Sequence, residues 1–471
     1  MTGSRGFAVL GLLVPALISC TDERVVFRDR DLLADIPSAS NGYLGYSNTA
    51  EKLTVCGNCH IGQQTDWVGT AHADAWNTLA ANAGRQALCE GCHTVSEVGN
   101  DIETAQVGWT STQDERFHDV QCESCHGPGL THVQNPGATQ PLASLGVTIG
   151  GTTGCGECHS GVHHPFVEEW AESGHGTVVA SPSTRPECIG CHTGQGALAA
   201  MGANDAEYKE KTSSTPLPIA CGVCHDPHGS GNDRQLRFAI DVPDEEQNLC
   251  MRCHHKRALP ESASPTRGPH SPEGPLLLGE AGWFPPNMPI EPGQRILGTH
   301  GSEANPRLCA GCHVYQYQVT DKQTGAFVVA VTGHRFEATP CVNAQGAPTG
   351  ADACARTERS YASCARSGCH GSPEAARSAH TTAELRLTTL AQQLNAQLAK
   401  VPVAEFSSTD NRYSTAEGAR FNAQLGLMNG TEVHNPFLAE ALLIGSIAQV
   451  QKDYGVSPSA AVDLTMKLGR R

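Results

Sequence analysis

Six Cys-x-x-Cys-His motifs run between Cys56 and His225: Cys56/Cys59/His60, Cys89/Cys92/His93, Cys122/Cys125/His126, Cys155/Cys158/His159, Cys188/Cys191/His192 and Cys221/Cys224/His225. Their first cysteines are 33 residues apart every time. Two more motifs follow, Cys250/Cys253/His254 and Cys309/Cys312/His313. From the residue frequencies, chance predicts about 0.04 such motifs in this chain, and eight are present. The chemistry that needs this spacing is covalent haem attachment: two thiols add to the two vinyl groups, and the next residue, His, turns onto the iron. Zinc is the competing reading, but a zinc site does not need a His directly after every Cys-x-x-Cys pair.

The elements that must hold these motifs are short. Between 55 and 255 no inter-motif segment exceeds about 30 residues, which leaves room for turns and brief helices. The 33-residue period also occurs in ankyrin arrays, but their helical signature is missing and the histidines fall at different offsets in each interval. Equal spacing is read as equal haem pitch. Apolar residues are 39% of the chain, with 21 of them Cys, and Gly plus Pro make about 17% against a typical ~12%. Side chains alone would build a thin core. Haem supplies the missing apolar surface, at roughly 25 cal/mol per Å² buried, and the chain is expected to fold around its cofactors.

Other stretches read as follows. Residues 1–20 have the form of a lipoprotein leader: Arg5, an apolar run from Phe7 to Ile18, then Leu17-Ile18-Ser19-Cys20. The run is too short to span a bilayer. Cleavage before Cys20 would leave a lipidated N-terminus in the membrane surface, with Thr21 pointing to the outer membrane. An ordinary leader is the alternative, and either one implies export. Residues 21–54 read as a tether, 55–255 as a seven-haem region, 256–300 as a proline-rich connection and 301–372 as a two-haem region. Within that last region Val314–Val319 and Phe327–Val331 alternate as a β-hairpin turning near Gly325. The segment 373–471 reads as helical. Leu387, Leu390, Leu394, Leu398 and Val401 form one stripe. Ser414 and Glu417 make a capping box for a second helix ending near Gly430. Asn435-Pro436 opens a third helix that Gly455 closes. The net charge of −16 disfavours nucleic acid and suits basic redox partners.

Cys56–Trp76, with Cys-Gly-Asn-Cys-His, Trp67 and Thr-Ala-His72-Ala, resembles the tetrahaem cytochrome family of hydroxylamine oxidation. Cys122–His132 also resembles that superfamily, and Cys221–His254 resembles the doubled C-x-x-C-H module. Together these cover about 55–255, and the C-terminal third matches loosely. The resemblance implies a mainly irregular and α-helical multihaem fold, with short helices and loops wrapped around stacked haems, and a role in electron transfer. The superfamily also holds reductases and an oxidase that keep one iron open or use a lysine-ligated motif; no Cys-x-x-Cys-Lys occurs here. Cys364-x4-Cys369-His370 resembles the longer haem motif of the small tetrahaem cytochromes of sulfate reducers, which implies a ninth haem. Cys341 and Cys354 then remain for a disulfide. The rival assignment joins Cys354 with Cys369 at a haem and Cys341 with Cys364.

Nine proximal histidines leave thirteen of the 22. Six methionines, one in the leader and one inside a motif, cannot serve nine irons, so bis-His ligation is expected throughout. His228, His132 and His72 are the strongest distal candidates, followed by His118, His175, His270, His300, His334 and His434. His163, His164, His255 and His380 are the expected spares. Bis-His iron stays low-spin, changes little on reduction, and lies at low potential for want of a thioether. The leading function is therefore a lipid-anchored electron conduit carrying about nine haem c, working with basic partners or other multihaem cytochromes. A reductase of a small nitrogen or sulfur oxyanion at one five-coordinate haem, and a cytochrome-filament subunit, are the alternatives.

Overall fold

Among the described residues, no helix before residue 373 exceeds seven residues. The computed structural model describes residues 39–458 except 101, 103–105, 148–153, 162, 262–263, 265, 287, 291–293, 367 and 408–412. The leader and lipidation site expected at 1–20 lie outside the described residues. The fold is mainly irregular and α-helical, with two small two-stranded sheets.

Most motifs sit on a single helical turn, as at Cys122–His126, Cys155–Cys158, Ile189–His192, Cys221–Cys224 and Leu308–His313. One turn places positions i, i+3 and i+4 on one side, so both thiols and the histidine share a face. The segments between motifs do not repeat any structure, so the 33-residue period is one of attachment points only.

Side-chain clusters in this part are small. Tyr43, Val95, Val107, Trp109 and Phe117 form one, and Ala197, Leu198, Met201, Val223 and Leu249 another. Residues 39–54, read as the end of a tether, are tied in. Strands β1 (Tyr46–Asn48) and β2 (Leu53–Thr54) pair antiparallel. The buried Glu123 carboxylate accepts the backbone N–H groups of Leu44, Gly45 and Gly129 at 2.8–3.0 Å. Burial pushes this carboxyl up to about 7. Local polarity in the sequence hid this anchoring, because its partners come from Glu123 far along the chain.

The expected hairpin forms from β3 (Tyr317–Thr320) and β4 (Phe327–Val331), antiparallel, with Tyr317 opposite Val331. It starts at Tyr317 rather than Val314 because Val314 packs under Gly333. There φ is +80°, and a Cβ would approach the Val314 backbone to 2.6 Å.

Among the described residues, the one large side-chain core lies in helices α1 (Pro373–Leu398), α2 (Thr415–Gly426) and α3 (Pro436–Tyr454). The caps fix their starts. Ser372 accepts from Ala375 N–H with Pro373 at the first position, the Ser414/Glu417 box is complete, and Asn435 accepts from Leu438 N–H. Gly455, at φ +70°, ends α3. The stripe Leu387, Leu390, Leu394, Leu398 and Val401 is buried against Ala419, Ala423, Leu443 and Ile447. The proline-rich segment packs on the same bundle: Leu276, Ala281 and Ile296 join Leu425, Leu438 and Leu442, and Asn435 Nδ2 donates to the carbonyls of Leu276 and Ile296.

Leu394 is fully buried at the centre of this bundle. Leu394→Ala is expected to destabilise it by about 2–5 kcal/mol. In denaturant titrations of the matured protein, the helical circular dichroism should be lost at lower denaturant.

Candidate haem sites

Eight of the nine motif histidines face a second imidazole at nearly one spacing. Ring centres are 6.2 Å apart for His60–His132, 6.2 Å for His126–His228, 6.1 Å for His159–His72 and 6.0 Å for His192–His270. They are 6.4 Å apart for His225–His334, 6.2 Å for His254–His175, 6.1 Å for His313–His434 and 6.0 Å for His370–His300. Imidazoles that merely stack on an aromatic ring sit closer, as His118 does on Trp76 at 4.0 Å. An iron held between two imidazoles at a metal–nitrogen distance of about 2.0 Å sets ring centres roughly 6 Å apart. The residues present therefore fit a six-coordinate haem iron at eight positions.

The backbone orients many of these rings. His93, His126, His225 and His313 each donate Nδ1–H to a carbonyl, of Ala75, Pro141, Arg234 and Phe336 respectively, at 2.6–2.8 Å. On the distal side, His132 does so to Thr139 O at 2.6 Å and His300 to Val433 O at 2.5 Å. This bond fixes the tautomer and leaves the Nε2 lone pair for a metal. His254 is different: its Nδ1 meets the Glu273 carboxylate at 3.3 Å, and that hydrogen bond raises its pKa. Burial lowers His159, His175, His334 and His434 to about 4, which keeps them neutral, the form that ligates.

A carboxylate also sets the His334 loop. Glu169, buried, accepts from Thr332 N–H at 2.9 Å, Thr332 Oγ at 2.7 Å and His334 N–H at 2.7 Å. Nothing in the sequence linked residues 169 and 332.

His118 does not face a proximal histidine. It is stacked on Trp76 and packed against Trp109, and its buried Nε2 lacks a hydrogen-bond partner among the described residues. The expected spares divide. His380 is engaged at both nitrogens, by Tyr361 Oη at 3.1 Å and Glu432 at 3.0 Å. His255 bonds Met251 O at 2.7 Å, and His163 stacks on Phe327 at 5.1 Å. His164 lies within electrostatic reach of His93. Among the described residues, His93 is the one proximal histidine with no imidazole at the 6 Å spacing.

Cys341 and Cys354 form a disulfide. The other eighteen described cysteines form no disulfide and fall two per motif, Cys364 and Cys369 before His370 among them. Cys59 is exposed, whereas Cys56 of the same motif is half-buried. The local turn accounts for the difference. Cys59 follows the short 3-10 turn Cys56–Asn58, with its N–H bonded to Cys56 O at 3.1 Å. That turn packs Cys56 inward towards Cys122 and leaves Cys59 and His60 on the outside. Cys155 and Cys369 are exposed as well.

Comparison with known proteins finds similarity to cytochromes. The cytochrome c554 and c-prime family matches residues 55–127, and the doubled CXXCH motif matches 217–259. The chain is 30% identical to the multiheme cytochrome MtrA of Shewanella baltica over 195 residues, 37% of this chain and 54% of that protein. It is 32% identical to cytochrome c-554 of Nitrosomonas europaea over 93 residues, 16% of this chain and 36% of that one. The chain is a multihaem c-type cytochrome. The matches span about half of the first relative and about a third of the second. No solved structure matches the cytochrome significantly. Haem c is held covalently through its Cys-x-x-Cys-His motifs.

The disulfide generates a test of the ninth site. A Cys341→Ser/Cys354→Ser cytochrome should keep the wild-type haem count by intact mass while losing roughly 3 kcal/mol of stability. Cys364→Ser/Cys369→Ser should lose one haem. A haem lost from the first variant would mean that Cys354 serves a haem.

Proposed function

We propose that this cytochrome carries electrons along nine covalently attached haems, eight of them bis-His, between exported carriers and an outer-membrane or extracellular acceptor. The observation that carries the reading is the common 6.0–6.4 Å spacing of eight proximal–distal imidazole pairs. The distal ligands are His132, His228, His72, His270, His334, His175, His434 and His300, for the first, third, fourth, fifth, sixth, seventh, eighth and ninth motifs.

Bound haem supplies a one-electron carrier. The chain's own groups would do the rest: the paired thiols would hold each haem, and the opposed imidazoles would ligate its iron and keep substrate away. Carbonyls at Nδ1 hold the rings still, which keeps reorganisation small. Relatives that are themselves cytochromes support redox partners of the same kind, and the net charge of −16 suits basic docking faces. Among the described residues no helix is long and apolar enough to cross a membrane. The lipobox-like Leu17-Ile18-Ser19-Cys20 supports attachment through a lipid on Cys20.

One observation favours a second reading, reduction of a small nitrogen or sulfur oxyanion. It is the lack of an imidazole opposite His93, which would leave the second haem with an accessible sixth position.

Two measurements separate these. Intact mass of the mature protein should give nine haems and a lipidated Cys20. Electron paramagnetic resonance of the oxidised protein should be dominated by low-spin iron, with at most one high-spin haem. A high-spin signal that binds cyanide and disappears in His93→Ala supports the second reading. Several high-spin haems would overturn the ligand pairs proposed above.

A further inference from the structure

Phe336 serves more than one of the paired sites. Its ring centre is 4.5 Å from that of His175 at 75°, and 5.6 Å from that of His334 at 61°. These are the histidines opposed to His254 and His225. The Phe336 carbonyl accepts the Nδ1–H of a third ring, the motif histidine His313, at 2.7 Å. Three of the eight imidazole pairs therefore meet one residue.

The backbone at this residue is unusual. Phe336 has φ +56°, in the left-handed region where bulky side chains are rare. Among the described residues it is the one aromatic residue with such a φ. Glycine adopts that conformation without steric cost, so a phenyl ring stands where glycine would fit more easily. A residue in this region persists only when its surroundings over-determine it. Here they do. The Phe336 N–H donates to Gly333 O at 3.1 Å and closes the turn. Glu169 grips Thr332 and His334, and Glu172 pairs with Arg335. Both carboxylates come from the short helix Phe166–Ala171 and the residue after it. The first residue of that helix, Phe166, also sets its ring edge-on to His334, at 4.9 Å.

We propose that Phe336 is a positioning residue shared by the sixth, seventh and eighth haem sites. Its ring limits how the His334 and His175 imidazoles turn, and its carbonyl fixes the tautomer and aim of His313. The left-handed backbone joins the two roles, because it directs ring and carbonyl from one residue to three imidazoles. The inference rests on the reading that these three histidine pairs ligate haem.

Imidazole orientation sets the g values of low-spin ferric haem and contributes to its reduction potential. Electron paramagnetic resonance and a redox titration of the matured holoprotein therefore test the role. Phe336→Gly keeps the favoured φ and the carbonyl but removes the ring. It should shift the low-spin signals of the two haems whose ligands touch that ring, with the haem count by intact mass unchanged. Phe336→Ala, which does not favour this φ, should move the third haem as well. Phe336→Tyr should restore the wild-type spectrum. Wild-type g values and potentials in Phe336→Gly would overturn the proposal, as would a change spread evenly over all the haems, the mark of general loosening. Should Phe336→Gly not mature, Phe336→Leu keeps the bulk without a flat ring, and an unshifted spectrum there overturns the proposal equally. Several high-spin irons in the wild type would refute the ligand pairs and this inference with them. A low-spin wild type with unmoved variants refutes the role of Phe336 alone.

Discussion

The fold depends on imidazoles that meet across the same 6 Å gap from distant parts of the chain. Paired histidines are on the order of 70 to 120 residues apart, so each pair closes a long loop whose entropy must be offset at the meeting point. No long helix or broad sheet in residues 39–372 does this work. The Nδ1–carbonyl bonds and short motif turns only aim the rings. The pairs also interlock: His60–His132 overlaps His126–His228, which overlaps His225–His334, which overlaps His313–His434. A cut anywhere between 60 and 434 severs a pair, which makes the molecule hard to divide.

The two ends of the described chain stand on different physics. Towards the C-terminus, α1–α3 and the proline-rich segment bury leucines in a conventional core with capped helices. Before that, side-chain clusters are small and scattered, and thiols crowd where such a protein would ordinarily place aliphatic groups. A chain with 39% apolar residues has material for only one bundle of that kind.

Local signals were legible and long-range ones were not. The Ser414/Glu417 box, the Asn435-Pro436 start and the Gly455 stop all depend on neighbours in sequence, and each stands where expected. So does the hairpin, shortened by the packing of Val314 beneath Gly333. Which His opposes which was beyond reach, because residue type and count say nothing of meeting points. His118 was expected as a ligand and His164 as a spare, yet neither meets a proximal histidine at the 6 Å spacing. Trp76 and Trp109 hold His118 by stacking instead. Cys56 and Cys59 are likewise equivalent as letters, and the turn Cys56–Asn58 sets one inward and the other outward. The clasp of Glu169 on Thr332 and His334 left no trace in the sequence for the same reason.

Interlocking has a consequence for biogenesis. A chain emerging from its N-terminus exposes each motif and its opposed histidine at different moments. His72, His175 and His300 precede their partners' motifs, so the fourth, seventh and ninth positions can close as soon as those motifs appear. The first, third, fifth, sixth and eighth must wait for a later residue, and the eighth waits longest, until His434 arrives at the threshold of α3. Completion of the ligand set and docking of the last helix thus coincide, so a truncated chain would betray itself by an unfilled coordination shell.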